Sequence, residues 1–359
     1  MVLMLMQILE HLKINKTIIL WIKNYLSEHS QQTVVDGSYS KPCKVTSGVP
    51  QGSVLGPLLF LIYTNSLLKL LVKLTNVMTF AFADDIKLAS TDPKSLQEAL
   101  KITETWSKSW KLKLQQSKSE HITFKLPRSP ISNLNTYYID NKNIPHTDFV
   151  KDLGIIITSD LKWSSQISKV YTKSLHLVYT VLKSFKSSNP YFYVQLYKTH
   201  IRPLLEYNHT IWRPYLKSDI RKLESIQTKF TRRLCQKLNI KFLHYQNRLQ
   251  ILGLETLEIR FIKIDLINTY KILNNIIDLD QTEFFTMNHI HQNYNLRRHT
   301  KYLKKPINSA TATGRNFFSQ RVVEIWNRLP AQVVESKSLP IFKQKLKPLQ
   351  ISTYTNLVI

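Results

Sequence analysis

Residues 80 to 88 read FAFADDIKL, with Asp84 and Asp85 side by side in an otherwise apolar run. Adjacent carboxylates repel and raise each other's pKa, a cost that a divalent cation held between them offsets. The ion suited to such a pair is hard, oxygen-seeking Mg²⁺, which keeps several waters and takes other ligands from substrate phosphates. Phe80 and Phe82 alternate with Ala81 and Ala83, and Ile86 and Leu88 continue the period of two. The alternation predicts a tight hairpin with the aspartates at its tip and a buried face on both arms. Taken alone, the pair is also explained by an ordinary acidic turn.

A second stretch lies about thirty residues upstream. Ser47, Gly48, Val49, Pro50, Gln51, Gly52 and Ser53 form a loop expected between a strand and a helix. Its two glycines allow a backbone to approach a base pair or a phosphate closely, and Gln51 can hydrogen-bond a base edge or a sugar. A Gly/Pro/Gln loop followed by a strand–Asp-Asp–strand hairpin is far more specific than either piece.

The elements that must position these residues are legible in outline. Leu5, Ile8, Leu9 and Leu12 fall at helical spacing, as do Ile18, Ile19, Ile22 and Leu26 after a plausible Asn15 cap. Residues 33–35 and 43–45 read as short strands around DGSYSKP. An apolar helix is expected from about Leu58. Asp92-Pro93 opens another helix, with Leu96, Leu100 and Trp110 on one side. Residues 122–126, 137–139 and 149–157 read as extended. From residue 161 to 250 helical patterns dominate, with 17 Lys/Arg against only Glu206, Asp219 and Glu224. A longer amphipathic helix is expected over 254–277, then a polar loop over 280–312, a short helix ending in WNRLP, and Phe342 to Leu349. In WNRLP, Trp326 and Leu329 read as core packing rather than as a base-stacking platform.

Composition limits the function classes. The chain has 359 residues, 50 Lys+Arg and 24 Asp+Glu, a formal charge of +26. Such an excess points to a polyanionic partner, nucleic acid before an anionic membrane surface. The membrane reading lacks a long Lys/Arg-rich amphipathic helix with aromatic anchors. Cys43 and Cys235 are the only cysteines, so a disulfide framework and a zinc finger are both excluded. His289 and His291, two apart with no cysteine nearby, read as ordinary loop histidines. The N-terminus lacks a charged n-region and a cleavage site, and VLGPLLFLIYTNSLLKLLV is too interrupted to span a membrane. An intracellular protein of the cytoplasm or nucleus is expected.

SGVPQGSVLGPLLFLIYTNSL followed by FADD resembles the reverse transcriptase of non-LTR (LINE-type) retrotransposons of the jockey group. KSEHITF, KDLGIII, RPLLEY with Trp212, and the closing WNRLP extend the likeness over the chain. The resemblance implies an α+β fold: a right-hand polymerase palm, an antiparallel sheet backed by helices, then a helical thumb and a mostly helical C-terminal region. The expected divisions are residual fingers and palm helices over 1–30, palm over 31–160, basic thumb over 161–250 and C-terminal region over 251–359.

The resemblance further implies RNA-directed DNA polymerase activity by two-metal nucleotidyl transfer, with Mg²⁺ or Mn²⁺ on Asp84 and Asp85. It implies an RNA template, a DNA primer and dNTP as partners. Ser47, Gly48, Pro50, Gln51 and Gly52 would touch template and nucleotide, and Phe82 and Ala83 would lie under the primer end. Lys118 would assist pyrophosphate departure, although Gln115 and Gln116 stand where the family has Asn, and Leu153-Gly154 would be the primer grip. Phosphate contacts are expected from Lys169, Lys173, Arg221, Lys222, Lys229, Arg232 and Arg233. The family's first catalytic aspartate precedes the helix that begins here at about Leu5, and no Asp precedes Asp36. The expectation is therefore an N-terminally truncated chain that binds primer–template and extends it poorly.

Overall fold

A computed structural model of the chain describes residues 2–45, 48–124, 135–241, 243–288, 299–305 and 311–349. It divides into two compact units, the first of residues 1–123 and 130–147, the second of residues 124–129 and 148–359. His289 and His291 lie outside the described residues.

The first unit opens with α1 (Val2–His11) and α2 (Lys16–Tyr25). Asn15 caps α2, its side chain accepting from the Thr17 amide at 2.8 Å, as its type and place suggest. These helices bury Leu5, Leu9, Ile19 and Ile22 against Leu59 and Tyr63 of α3 (Gly56–Leu71). Leu59, Tyr63, Leu67 and Leu71 recur every four residues, the stripe of a helix with one face inward. α4 (Pro93–Trp110) starts at Asp92, which accepts from the amides of Lys94 and Ser95. Trp106 donates its Nε1–H to Ser66 Oγ at 2.9 Å, and the Tyr63 hydroxyl donates to the Trp110 carbonyl at 2.5 Å.

The strands of this unit are short. Between α2 and α3, β1 (Ser30–Gln31) pairs with β4 (Cys43–Lys44), enclosing β2 (Val34–Val35) paired with β3 (Ser38–Tyr39). The two strands expected at 33–35 and 43–45 are present as β2 and β4, each paired with a strand of its own. Asp36 and Gly37 both take positive φ, 49° and 81°. Those angles make a two-residue turn that closes β2 on the adjacent SYS segment. β5 (Met78–Phe82) pairs with β6 (Asp85–Ala89), and β7 (Tyr137–Ile139) with β8 (Lys142–Ile144). Tyr137, Ile139 and Ile144 pack on Leu96 and Leu100 of α4.

In the second unit β9 (Phe149–Asp152) pairs with β10 (Ile155–Thr158), a hairpin that turns at Leu153-Gly154. A single antiparallel palm sheet was expected, but among the described residues the strands make five separate two-stranded antiparallel ladders. Each hairpin is two to five residues per arm, and each lays one face on helices or on solvent without recruiting a neighbour.

Helices fill the remainder: α5 (Ser164–Ser184), α6 (Pro190–Leu196), a π turn over Tyr197–Ile201, α7 (Arg202–Glu206), α8 (His209–Trp212), α9 (Lys217–Lys237), α10 (Tyr245–Leu252) and α11 (Leu257–Leu273). Their core centres on Ile167, Tyr197, Trp212, Ile226 and Phe230. α11 gives Phe261 to that core and Leu266 and Tyr270 to a second one. The second core is completed by Trp326 and Phe342, carried by the short helices Val323–Arg328 and Leu339–Leu346. Trp326 is fully buried and Leu329 nearly so, as the packing reading requires.

Candidate active-site hairpin and basic helical face

Ala83 and Asp84 are the two residues between β5 and β6, while Asp85 is the first residue of β6 and pairs with Phe82. The aspartates therefore sit at the hairpin end, one in the turn and one on the arm. Both are exposed, and neither carboxylate has a hydrogen-bond or ion-pair partner among the described residues. Ala83 takes φ of 51°, a left-handed conformation that costs a non-glycine residue about 1–2 kcal/mol and that collects at functional turns.

The pairing register corrects the expected burial. Phe80 opposes Lys87 and Phe82 opposes Asp85, so the phenylalanines share a face with the charges. Phe80 and Phe82 are 55% and 61% exposed, while Ile86 and Leu88 turn with Thr79 and Ala81 toward Leu67, Leu71 and Trp106. In a two-residue hairpin directly opposed residues point the same way. The small side chains of β5 thus face the helices and the large ones face out.

The Gly/Pro/Gln loop leads into α3 as expected. Ser53 organises it: its Oγ donates to the Pro50 carbonyl at 2.8 Å and accepts from the Gly56 amide at 3.0 Å. A Cβ on Gly56 would meet Ser53 Oγ at 2.8 Å and Pro50 O at 3.1 Å, so the loop lies directly on the helix start. Gly48 and Gly52 have φ of 95° and 80°, open only to glycine without strain. Gln51 and Gly52 are exposed. Ser47 lies outside the described residues. Lys118, on the 3₁₀ turn Gln116–Lys118, is exposed.

In the second unit Leu153 and Gly154 form the β9–β10 turn, both at positive φ, 42° and 87°. Two side chains clamp it. The Tyr207 hydroxyl donates to the Leu153 carbonyl at 3.0 Å, and Lys169 Nζ donates to the Gly154 carbonyl at 2.6 Å. Tyr207 ends the RPLLEY stretch, and nothing in its type alone announced this task.

The expected phosphate-binding cations lie on α5 and α9, which run side by side in the same direction. Ser164 reaches Asp219, and Lys222 donates to Ser168 Oγ at 2.8 Å. Lys229 Nζ donates to the Tyr171 hydroxyl at 2.5 Å and sits 5.0 Å from its ring centre. Arg233 lies 4.3 Å over the Tyr179 ring. Four of the seven residues, Lys169, Lys222, Lys229 and Arg233, are thus held by intramolecular partners. Lys173, Arg221 and Arg232 project into solvent. Burial lowers the Lys169 pKa, and the charges of Lys151 and Lys173 lower it further, a sign of concentrated positive potential. The Lys229 hydrogen bond pulls the Tyr171 phenol below its ordinary value. The tyrosines fix the cations in one row, a contribution that composition did not reveal.

Among the described residues no three His, Cys, Asp or Glu side chains gather as a metal cluster. Asp84 and Asp85 supply two oxygen-donor groups, the chemistry a hard divalent ion accepts. No described helix is long and apolar enough to cross a membrane.

Comparison with known proteins gives the same direction. Residues 4–157 match the family model described as reverse transcriptase (RNA-dependent DNA polymerase). The chain is 27% identical over 221 residues to a probable RNA-directed DNA polymerase from transposon X-element of Drosophila melanogaster. It is also 27% identical over 228 residues to the RNA-directed DNA polymerase from mobile element jockey of the same species. Each match covers 59% of this chain and 24% of the relative, so the chain spans about a quarter of the curated relatives it matches. A probable RNA-directed DNA polymerase from transposon BS is 34% identical over 122 residues, 31% of this chain and 14% of the relative.

Proposed function

We propose that this protein is the RNA-directed DNA polymerase portion of a non-LTR retrotransposon, a reading supported by the match of residues 4–157 to the reverse transcriptase family model and by the similarity to polymerases of jockey-type mobile elements. It extends a DNA primer on an RNA template from deoxynucleoside triphosphates. The reading rests on the hairpin end at FADD, where two exposed carboxylates stand without partners on a left-handed turn.

Asp84 and Asp85 would hold Mg²⁺, or Mn²⁺ in its place. A bound ion there neutralises triphosphate charge and helps the primer 3′-hydroxyl ionise. The chain's own groups position the reactants. Gln51 and the backbone of Gly48, Pro50 and Gly52, with Ser47, meet the templating base pair, and the outward Phe82 and Ala83 support the primer end. Leu153 and Gly154, clamped by Tyr207 and Lys169, grip the primer backbone. Lys118 donates toward the departing pyrophosphate. The cation row on α5 and α9 receives phosphates.

A second reading keeps nucleic-acid binding without polymerisation. It is favoured by the hairpin end, where the described residues bring together two carboxylates and no third. Primer extension on an RNA template with Mg²⁺ or Mn²⁺ separates the two. The arms are this chain, Asp84→Asn, and a version carrying a family-type segment upstream of Met1. Synthesis abolished by Asp84→Asn supports polymerisation. Duplex binding by this chain with synthesis only in the version carrying the upstream segment, or in no arm, supports the second reading.

A further inference from the structure

We propose that His121 and His146 form a binding site for a borderline transition-metal cation, Zn²⁺ in the first instance, separate from the carboxylate hairpin. The two residues face each other in an isolated parallel bridge of the first unit. Backbone bonds flank them: the His121 amide donates to Pro145 O at 3.0 Å, and the Thr147 amide donates to His121 O at 2.9 Å. Such pairing sets two side chains next to each other on one face.

His121 Nδ1 lies 3.1 Å from the Ile144 carbonyl. A carbonyl only accepts, so Nδ1 carries the proton and Nε2 carries the lone pair. This is the arrangement by which ligating histidines are oriented, the second ring nitrogen donating to a backbone carbonyl. The Asn135 backbone interacts with the His121 ring and helps hold its pKa up, but neither His121 Nε2 nor His146 Nε2 has a partner at hydrogen-bond geometry, and both atoms are buried. Buried ring nitrogens left unsatisfied in pairs call for an explanation, and a shared ion supplies one.

The spacing agrees. With Zn–N near 2.0–2.1 Å and about 1.15 Å from nitrogen to ring centre, two imidazoles on a tetrahedral ion have centroids about 5.2 Å apart. The His121 and His146 centroids are 5.1 Å apart, with planes at 67°. Edge-to-face packing alone gives similar distances, as His121 does with Tyr137 at 5.0 Å. Single packed histidines, His209 and His299, also bury one unpartnered ring nitrogen; what sets this site apart is that two such rings pack on each other at a spacing one ion can bridge. Two imidazoles suit Zn²⁺, Cu²⁺ or Ni²⁺ and not Mg²⁺, and water completes the coordination. Bound there, the ion would staple the segment three residues after Lys118 to the end of the β7–β8 hairpin.

The test is calorimetric titration of ZnCl₂ into the full chain after chelator treatment. We expect one saturable site whose affinity drops at least tenfold in His121→Gln and in His146→Gln, and is unchanged in a His289→Gln/His291→Gln control. Because either single variant could disturb the bridge, zinc-edge X-ray absorption on the unmodified chain gives an independent reading. Two imidazole nitrogens with oxygen ligands are expected. Absence of saturable binding, affinity in either site variant equal to that of the unmodified chain, or a zinc shell with one or with more than two imidazoles would overturn the proposal.

Discussion

Asp265→Asn is the most informative single change for the second unit. Asp265 is 1% exposed and sits at the junction of its two cores. Arg321 grips the carboxylate twice, Nε to Oδ2 at 2.9 Å and Nη2 to Oδ1 at 3.0 Å, and Arg213 Nη1 reaches Oδ2 at 2.8 Å. His209 Nε2 lies 3.6 Å away. Asparagine keeps the volume, so no cavity forms; what is lost is the counter-charge to two guanidinium groups whose side chains are 14% and 11% exposed. Breaking a buried pair from one side costs about 3–5 kcal/mol, against a total stability of about 5–15 kcal/mol for a domain. Urea unfolding followed by tryptophan fluorescence should show the midpoint falling with m unchanged. Burial alone would raise the Asp265 pKa, but the arginines outweigh it and the net shift is downward. The folded state thus binds fewer protons than the unfolded one. The contribution is complete above the ordinary carboxylate pKa and fades as pH falls through the lower folded value, so the two proteins converge in acid. A loss below about 1 kcal/mol at neutral pH would refute this account of the junction.

Burial, aided by Arg213 and Arg321, depresses the His209 pKa to about 4. Unfolded His209 takes up a proton near its ordinary pKa of about 6.5, so the second unit should lose about 3 kcal/mol between that pH and pH 4. A His209→Phe variant should lack that part of the slope, and an unchanged slope would exclude His209 as its source. Nucleic-acid affinity should fall steeply with salt, and replacing both Lys173 and Arg232 by Gln should flatten the log–log slope by roughly 1.8 on B-form duplex; an unaltered slope would remove them from the phosphate contacts. Tyr207→Phe deletes the hydroxyl donated to Leu153 O and should cost about 0.5–1.5 kcal/mol by thermal unfolding. Ala83→Gly relieves the left-handed alanine, and the first unit should become more stable by up to about 1 kcal/mol.

Local features of the fold were legible where one residue type has one physical use. Asn15 and Asp92 cap the helices they precede because a short polar side chain can accept from the next turn's amides. The hairpin at Asp84-Asp85 follows from alternation on both arms. Its orientation did not, because alternation says which residues share a face but not which face is inward. Phe80 and Phe82 were the natural candidates for burial by size, yet helices α3 and α4 take Ile86 and Leu88 instead. The same blindness to tertiary context hid the nested ladder at 30–44, where the positive φ of Asp36 and Gly37 decided the register.

The basic face illustrates the other limit. Seven cations could be named from charge density, but density does not tell a free cation from one already committed. Tyr171 and Tyr179 hold Lys229 and Arg233 in place, and these aromatics are 58 and 54 residues away in sequence from their partners. Such pairing follows from α5 and α9 running side by side, a packing fact with no sequence signature. It bears on function nonetheless. Cations fixed in advance lose less side-chain entropy on meeting a phosphate than free ones. If the row meets phosphate as proposed, its held cations should lose less entropy in doing so than the exposed Lys173, Arg221 and Arg232.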